Sequence, residues 1–182
     1  MNTENTATQI PSEEANKEQL KLARGQGDAL EKALNEMIGN VADDGQEIAH
    51  GPYRIGYAIE KAEGMYKMND NGELVWHEPE EKNVHVEVSV RDAADGRFIP
   101  GLTVHDRLID SEGNDVGMHQ QPYIWHPWLY HYGRNWRIQN SGDYEMEVHI
   151  KAPDFPRHDK KNGKRYGEDV SVNFKPVKIT VK

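Results

Sequence analysis

The chain has 182 residues and a formal charge of −9, enough for one domain of moderate size with an appendage. Its acidic balance, with Lys and Arg clustered only near Lys160 to Arg165, argues against nucleic-acid binding by phosphate neutralisation. Cysteine is absent, which excludes disulfides, thiolate metal sites and a cysteine nucleophile, and no apolar run is long enough to span a membrane.

Taken in order, residues 1–15 are polar and acidic and predict a disordered arm. Met1 is followed by polar residues without an apolar segment, so no signal peptide is visible. Residues 16–45 read as a helical extension. Leu30, Leu34, Met37 and Ile38 share one apolar stripe, Gly39-Asn40 supplies a stop, and Gly25 and Gly27 are points where the helix could divide in two.

From 46 to 182 the period changes to two. Tyr53, Ile55 and Tyr57 alternate with small or polar residues, and Val84, Val86, Val88 and Val90 alternate with His85, Glu87, Ser89 and Arg91. Further strands are expected at Leu102 to Ile109, Trp136 to Ile138, Tyr144 to Ile150 and Val177 to Val181. Turn residues at Asn71-Gly72, Asp95-Gly96, Gly113-Asn114 and Ser141-Gly142 separate them. Short strands at this spacing predict an all-β, antiparallel β-sandwich.

One stretch departs from that rhythm. Gln121 to Trp136 carries three of the four tryptophans, three tyrosines and two histidines, interrupted by Pro127 and Gly133. It predicts a structured aromatic loop on the β scaffold, where binding sites are usually found.

Nine histidines raise the question of metal binding. His85 and Glu87, two apart on a strand, point to one face and could share a cation; the alternative is an ordinary polar outer face. His131 is either a ligand or a hydrogen-bonded member of an aromatic cluster. His158, beside Asp159, is either a ligand oriented by that acid or a solvated turn residue. His126, before Pro127, is biased to extended backbone and is a ligand or a loop residue. Met65 offers a thioether, though methionine more often fills space. His50, His77, His105, His119 and His149 read as surface or packing residues.

The order of these motifs narrows the alternatives. His85-Val86-Glu87-Val88, then Pro100-Gly101-Leu102, His131-Tyr132-Gly133-Arg134-Asn135, Gly142-Asp143-Tyr144 and Arg157-His158-Asp159 resemble the H-L-E-A-D, H-Y-G-A-N, G-x-Y and G-R-H-x-D segments of the periplasmic iron-transport proteins. These are copper-binding partners of iron permeases. The resemblance implies an immunoglobulin-like sandwich, a homodimer, and a copper site that also takes iron or manganese. Carried over by motif, Glu87, His131 and His158 match ligands, His85 matches the histidine beside the glutamate, and Met65 matches loosely a methionine upstream. The family's ligand methionine, seven residues before the H-Y-G histidine, is here Ile124, and His126 becomes a candidate replacement.

The expected function is therefore an extracytoplasmic copper- or iron-binding protein that assists iron uptake with a membrane permease and is not an enzyme. Two other classes compete with it. A metal-free module would use the aromatic loop to bind protein or glycan. An enzyme would use two histidines and a carboxylate to hold non-haem iron. Imidazole ligation would weaken as pH falls through the histidine range, near roughly 6.5.

Overall fold

The computed structural model describes residues 8–181. Helix α1 (Lys17–Glu36) leads through a π-helical segment, Met37–Val41, into eleven strands: β1 (Asp44–His50), β2 (Tyr53–Lys61), β3 (Met65–Met68), β4 (Leu74–His77), β5 (Val84–Asp92), β6 (Thr103–Ile109), β7 (Asp115–Gln121), β8 (Tyr123–Ile124), β9 (His131–Trp136), β10 (Gly142–Lys151) and β11 (Val170–Ile179). One sheet has the order β1-β2-β5-β9-β8, the other β11-β10-β6-β7, and β3-β4 is a separate hairpin. All these pairings are antiparallel. The architecture is the antiparallel β-sandwich that the alternation predicts.

The core lies between the two sheets. Ile55, Val86 and Val88 from one meet Val104, Leu108, Met146, Val148 and Phe174 from the other. Tyr57 and Phe174 close the gap edge to face, with ring centroids 4.8 Å apart. Tyr144 at the start of β10 donates its hydroxyl to the Asn140 carbonyl, the tyrosine corner of immunoglobulin-like sandwiches.

Strand β5 is the one that positions the site. All nine of its residues are buried. Its valines enter the core, which explains one face only; His85, Glu87, Ser89 and Arg91 lie on the other, where the end of α1, the π-helical segment and Leu129 stand against Glu87 and Ser89. Leu34 and Met37 pack on Ala58 of β2 and on Leu129 of the loop, a second cluster apart from the sandwich core.

The helix begins in a capping box. Asn16 Oδ1 accepts from the Gln19 amide and Gln19 Oε1 accepts from the Asn16 amide, at 3.0 and 2.8 Å. Contrary to the sequence reading, α1 is not divided at its glycines. Gly27 is where the helix touches the Asp95-Gly96 turn, so closely that a Cβ would lie 1.7 Å from the Asp95 carbonyl oxygen. Nor does Gly39-Asn40 stop the chain's winding: the Ala42 amide donates to the Met37 carbonyl at 2.8 Å, closing a wide turn.

Of the arm expected over 1–15, residues 1–7 lie outside the described residues. In 8–15, which form no helix or strand, Gln9 donates to Asp95 and Ser12 to Asp159 at 2.9 and 2.7 Å, so this part is held to the sandwich. Strand β1 starts at Asp44, inside the stretch read as the extension, and β9 starts at His131 rather than Trp136. His131 is thus a strand residue, not a loop residue.

Candidate metal centre

The outward face of β5 and β9 brings His85, Glu87 and His131 together, each offering one ligand atom, all within 4.8 Å of one another. The register explains how. His85 lies opposite Asn135 and Glu87 opposite Gly133, so His131 and Asn135 flank the position where β9 has no side chain. A Cβ on Gly133 would stand 2.9 Å from His131 Cδ2 and 3.0 Å from His85 Nε2. The glycine opens the space between the two rings.

Both imidazoles are fixed in one tautomer. His131 Nδ1 lies 3.1 Å from the Leu129 carbonyl, which only accepts, so Nδ1 carries the proton and Nε2 a bare lone pair. His85 Nδ1 donates to Asn135 Oδ1 at 2.8 Å. Asn135 is oriented in turn because its Nδ2 donates to the Glu63 carbonyl at 2.7 Å. Two Nε2 atoms therefore face one carboxylate: Glu87 Oε1 is 3.7 Å from His85 Nε2 and 3.3 Å from His131 Nε2. Such outer partners are what set a metal-binding histidine's tautomer.

Burial sets the charge state. Desolvation pushes the Glu87 carboxyl up to about 8, with Glu60 and Glu63 adding repulsion. Desolvation pushes His131 down to about 4 and lowers His85 as well. Near neutral pH the metal-free group is a protonated acid facing two neutral imidazoles rather than an ion pair. The His131 Nε2 atom is buried with no aligned hydrogen-bond partner.

The other sequence candidates fall at different distances from this group. His126 is half-buried, its ring centroid 6.0 Å from that of His131, and its Nδ1 is buried without a partner. Ile124, on β8, lies directly opposite His131 in the ladder. Met65 opens the β3-β4 hairpin opposite His77, two residues past Glu63. His158 is not brought to the group. Its side chain is 90% exposed and pairs with Glu14 at 3.0 Å, on a separate cleft of about 890 Å³. Asn135 is a contributor that its residue type alone does not single out: its role needs the β5–β9 register, which sets it opposite His85.

The sequence model of the Fe2+ transport protein family matches residues 43–180. The chain belongs to that family. It is a family of transport-associated metal-binding proteins, not of enzymes. No curated protein sequence matches the chain. Among solved structures, FetP of uropathogenic Escherichia coli strain F11 is similar at 22% identity over 74% of this chain and 95% of its own, with a TM-score of 0.56. A copper-bound methionine-to-isoleucine variant of Campylobacter jejuni P19 is similar at 19% identity over 75% and 98%, with a TM-score of 0.62. A copper-bound glutamate-to-glutamine variant of FetP aligns at 19% identity over 75% and 92%, with a TM-score of 0.58. At such identities these likenesses show the fold. The helix α1 lies outside the family match.

Proposed function

We propose that this family member is an extracytoplasmic copper-binding protein that assists iron uptake, with His85, Glu87 and His131 as its metal ligands. The observation that carries the reading is the buried pair of bare Nε2 atoms aimed at one carboxylate. Copper(II) fits two imidazoles and a carboxylate, and iron(II) or manganese(II) would bind the same donors less tightly. A cation would also relieve the repulsion among Glu60, Glu63 and Glu87 that burial leaves uncompensated. When bound, the metal supplies a site that can be loaded and emptied; the protein's residues hold it, and Asn135 and Leu129 keep both rings aimed.

His126, with its unpartnered Nδ1 beside His131, is the fourth ligand of this reading, in the place where the resemblance would put a methionine. The sandwich from 46 to 182 is the metal-binding domain and residues 16–45 its extension. The exposed Tyr123, Trp125, Trp128 and Tyr130 form the face that meets another protein, either a second copy or the permease. His158 would meet a metal only across such an interface, and Met65 lies too close to the exposed hairpin to be counted with the triad. Copper-bound relatives support a metal role for this fold, and no described helix is long and apolar enough to cross a membrane.

The test is metal analysis of purified protein, followed by titration of copper(II) and iron(II) into the apo form. About one copper per chain, with nitrogen and oxygen ligands in electron paramagnetic resonance, is expected. Protein that takes up no copper would return the aromatic face, without metal, as the functional surface.

A further inference from the structure

The cavity beside the triad is lined partly by a residue that the family does not supply. Between α1 and the five-stranded sheet lies a small space of about 20 Å³ whose walls include Leu34, Met37, Ala58, Leu129 and two of the triad, Glu87 and His131. That is room for about one water or one ion. Met37 is 3% exposed and sits where α1 passes into the π-helical segment. Such wide turns re-aim side chains and are frequent at functional sites. Met37 packs in the same cluster as Leu129, whose carbonyl fixes the His131 ring.

We propose that Met37, delivered by the helical extension, is a thioether ligand that makes this centre competent for reduced copper. Three independent observations meet there. The cavity holds a thioether residue, an imidazole residue and a carboxylate residue on its walls. The His131 Nε2 atom is buried with no aligned hydrogen bond, the Glu87 carboxyl lying 3.3 Å away. And the β8 position opposite His131 is Ile124, so the sheet itself offers no soft donor from that side. Thioether sulfur selects copper(I) over copper(II), whereas imidazole and carboxylate serve the oxidised ion. The extension is then part of the binding site and not only a cover. Met37 shares the cavity wall with Glu87 and His131.

The inference rests on the metal-binding reading above, and the experiment separates the two. X-ray absorption of the full-length protein loaded with copper(I) is compared between wild type and Met37→Leu, alongside copper(I) and copper(II) affinities. Leucine keeps the volume and the apolar contact, so the apo melting temperature should change little. A copper–sulfur path in the wild type that vanishes in Met37→Leu, with copper(I) affinity falling about tenfold or more and copper(II) affinity within about twofold, is the expected result. Copper(I) bound without a sulfur path in the wild type would overturn it, as would a sulfur path that persists in the variant. A copper–sulfur path lost without change in copper(I) affinity would overturn it too. Wild-type protein that binds no copper in either state would sink this inference and the metal-binding reading together.

Discussion

Glu87 shows what the site costs the metal-free protein. Its carboxyl is buried at 4% exposure with no Lys or Arg paired to it among the described residues, and burial of such an acid is tolerated by keeping the proton. Glu87→Gln should therefore raise the apo melting temperature while lowering copper(II) affinity at least about tenfold, a trade of stability against function. Differential scanning calorimetry and copper titration check both halves; a destabilised glutamine variant would contradict the charge assignment. The same shift moves the pH dependence of binding. With His131 neutral down to about 4 and Glu87 protonated up to about 8, the proton that metal displaces is the carboxyl's, not an imidazole's as the sequence suggests. Strand alternation in His85-Val86-Glu87 was enough to put two candidate ligands on one face. What it could not reveal was that this outward face is covered, because the cover comes from residues some fifty positions earlier in the chain.

At the scale of elements, α1 makes a close backbone approach at one glycine. Gly27→Ala would drive a Cβ into the Asp95 carbonyl, whereas Gly25 has nothing within 4 Å of its Cβ position. Gly25→Ala is expected to stabilise by about 0.5–1 kcal/mol through helix propensity. Gly27→Ala should loosen the helix, seen as faster amide exchange over Lys17–Glu36 with the sandwich amides unchanged, since the sandwich core contains no residue of α1. Equal effects of the two alanines would show that the contact does not hold the helix. The glycines were visible in the sequence, but composition alone reads paired glycines as a break; only the Asp95-Gly96 turn, distant in sequence, turns Gly27 into a packing contact. In the same way β7 was missed because Asp115–Gln121 is an exposed edge strand with almost no apolar alternation. The central strands were legible because Val84 to Val90 faces a core.

Across the whole molecule, buried titratable groups shape apo stability against pH. Asp106 is fully buried on β6 with no partner for either carboxyl oxygen among the described residues, and desolvation holds it well above the usual carboxylate range. Glu87 is raised from 4.5 to about 8. A raised folded-state value means stability present below the unfolded value and lost as pH climbs. His131 is lowered from 6.5 to about 4, so its contribution is present above 6.5 and lost as pH falls through about 4. Below about 6.5 the lowered histidines, His85 among them, offset the acids, so the melting temperature of the apo protein should fall most clearly from about pH 6.5 to 8. Asp106→Asn, free of the buried acid, should flatten the alkaline decline; a melting temperature that climbs from about pH 6.5 to 8 would contradict the assignment. The central claim, that the His85–Glu87–His131 group is the metal centre, is tested most directly by copper(II) affinity in two histidine variants. His149 lies on β10 and meets Ser171 and Glu147 on the outer face of the other sheet. His131→Ala should lose about a hundredfold or more in affinity and one nitrogen from the electron paramagnetic resonance pattern, while His149→Ala stays within about twofold of wild type. Equal affinity in the two variants would contradict the account.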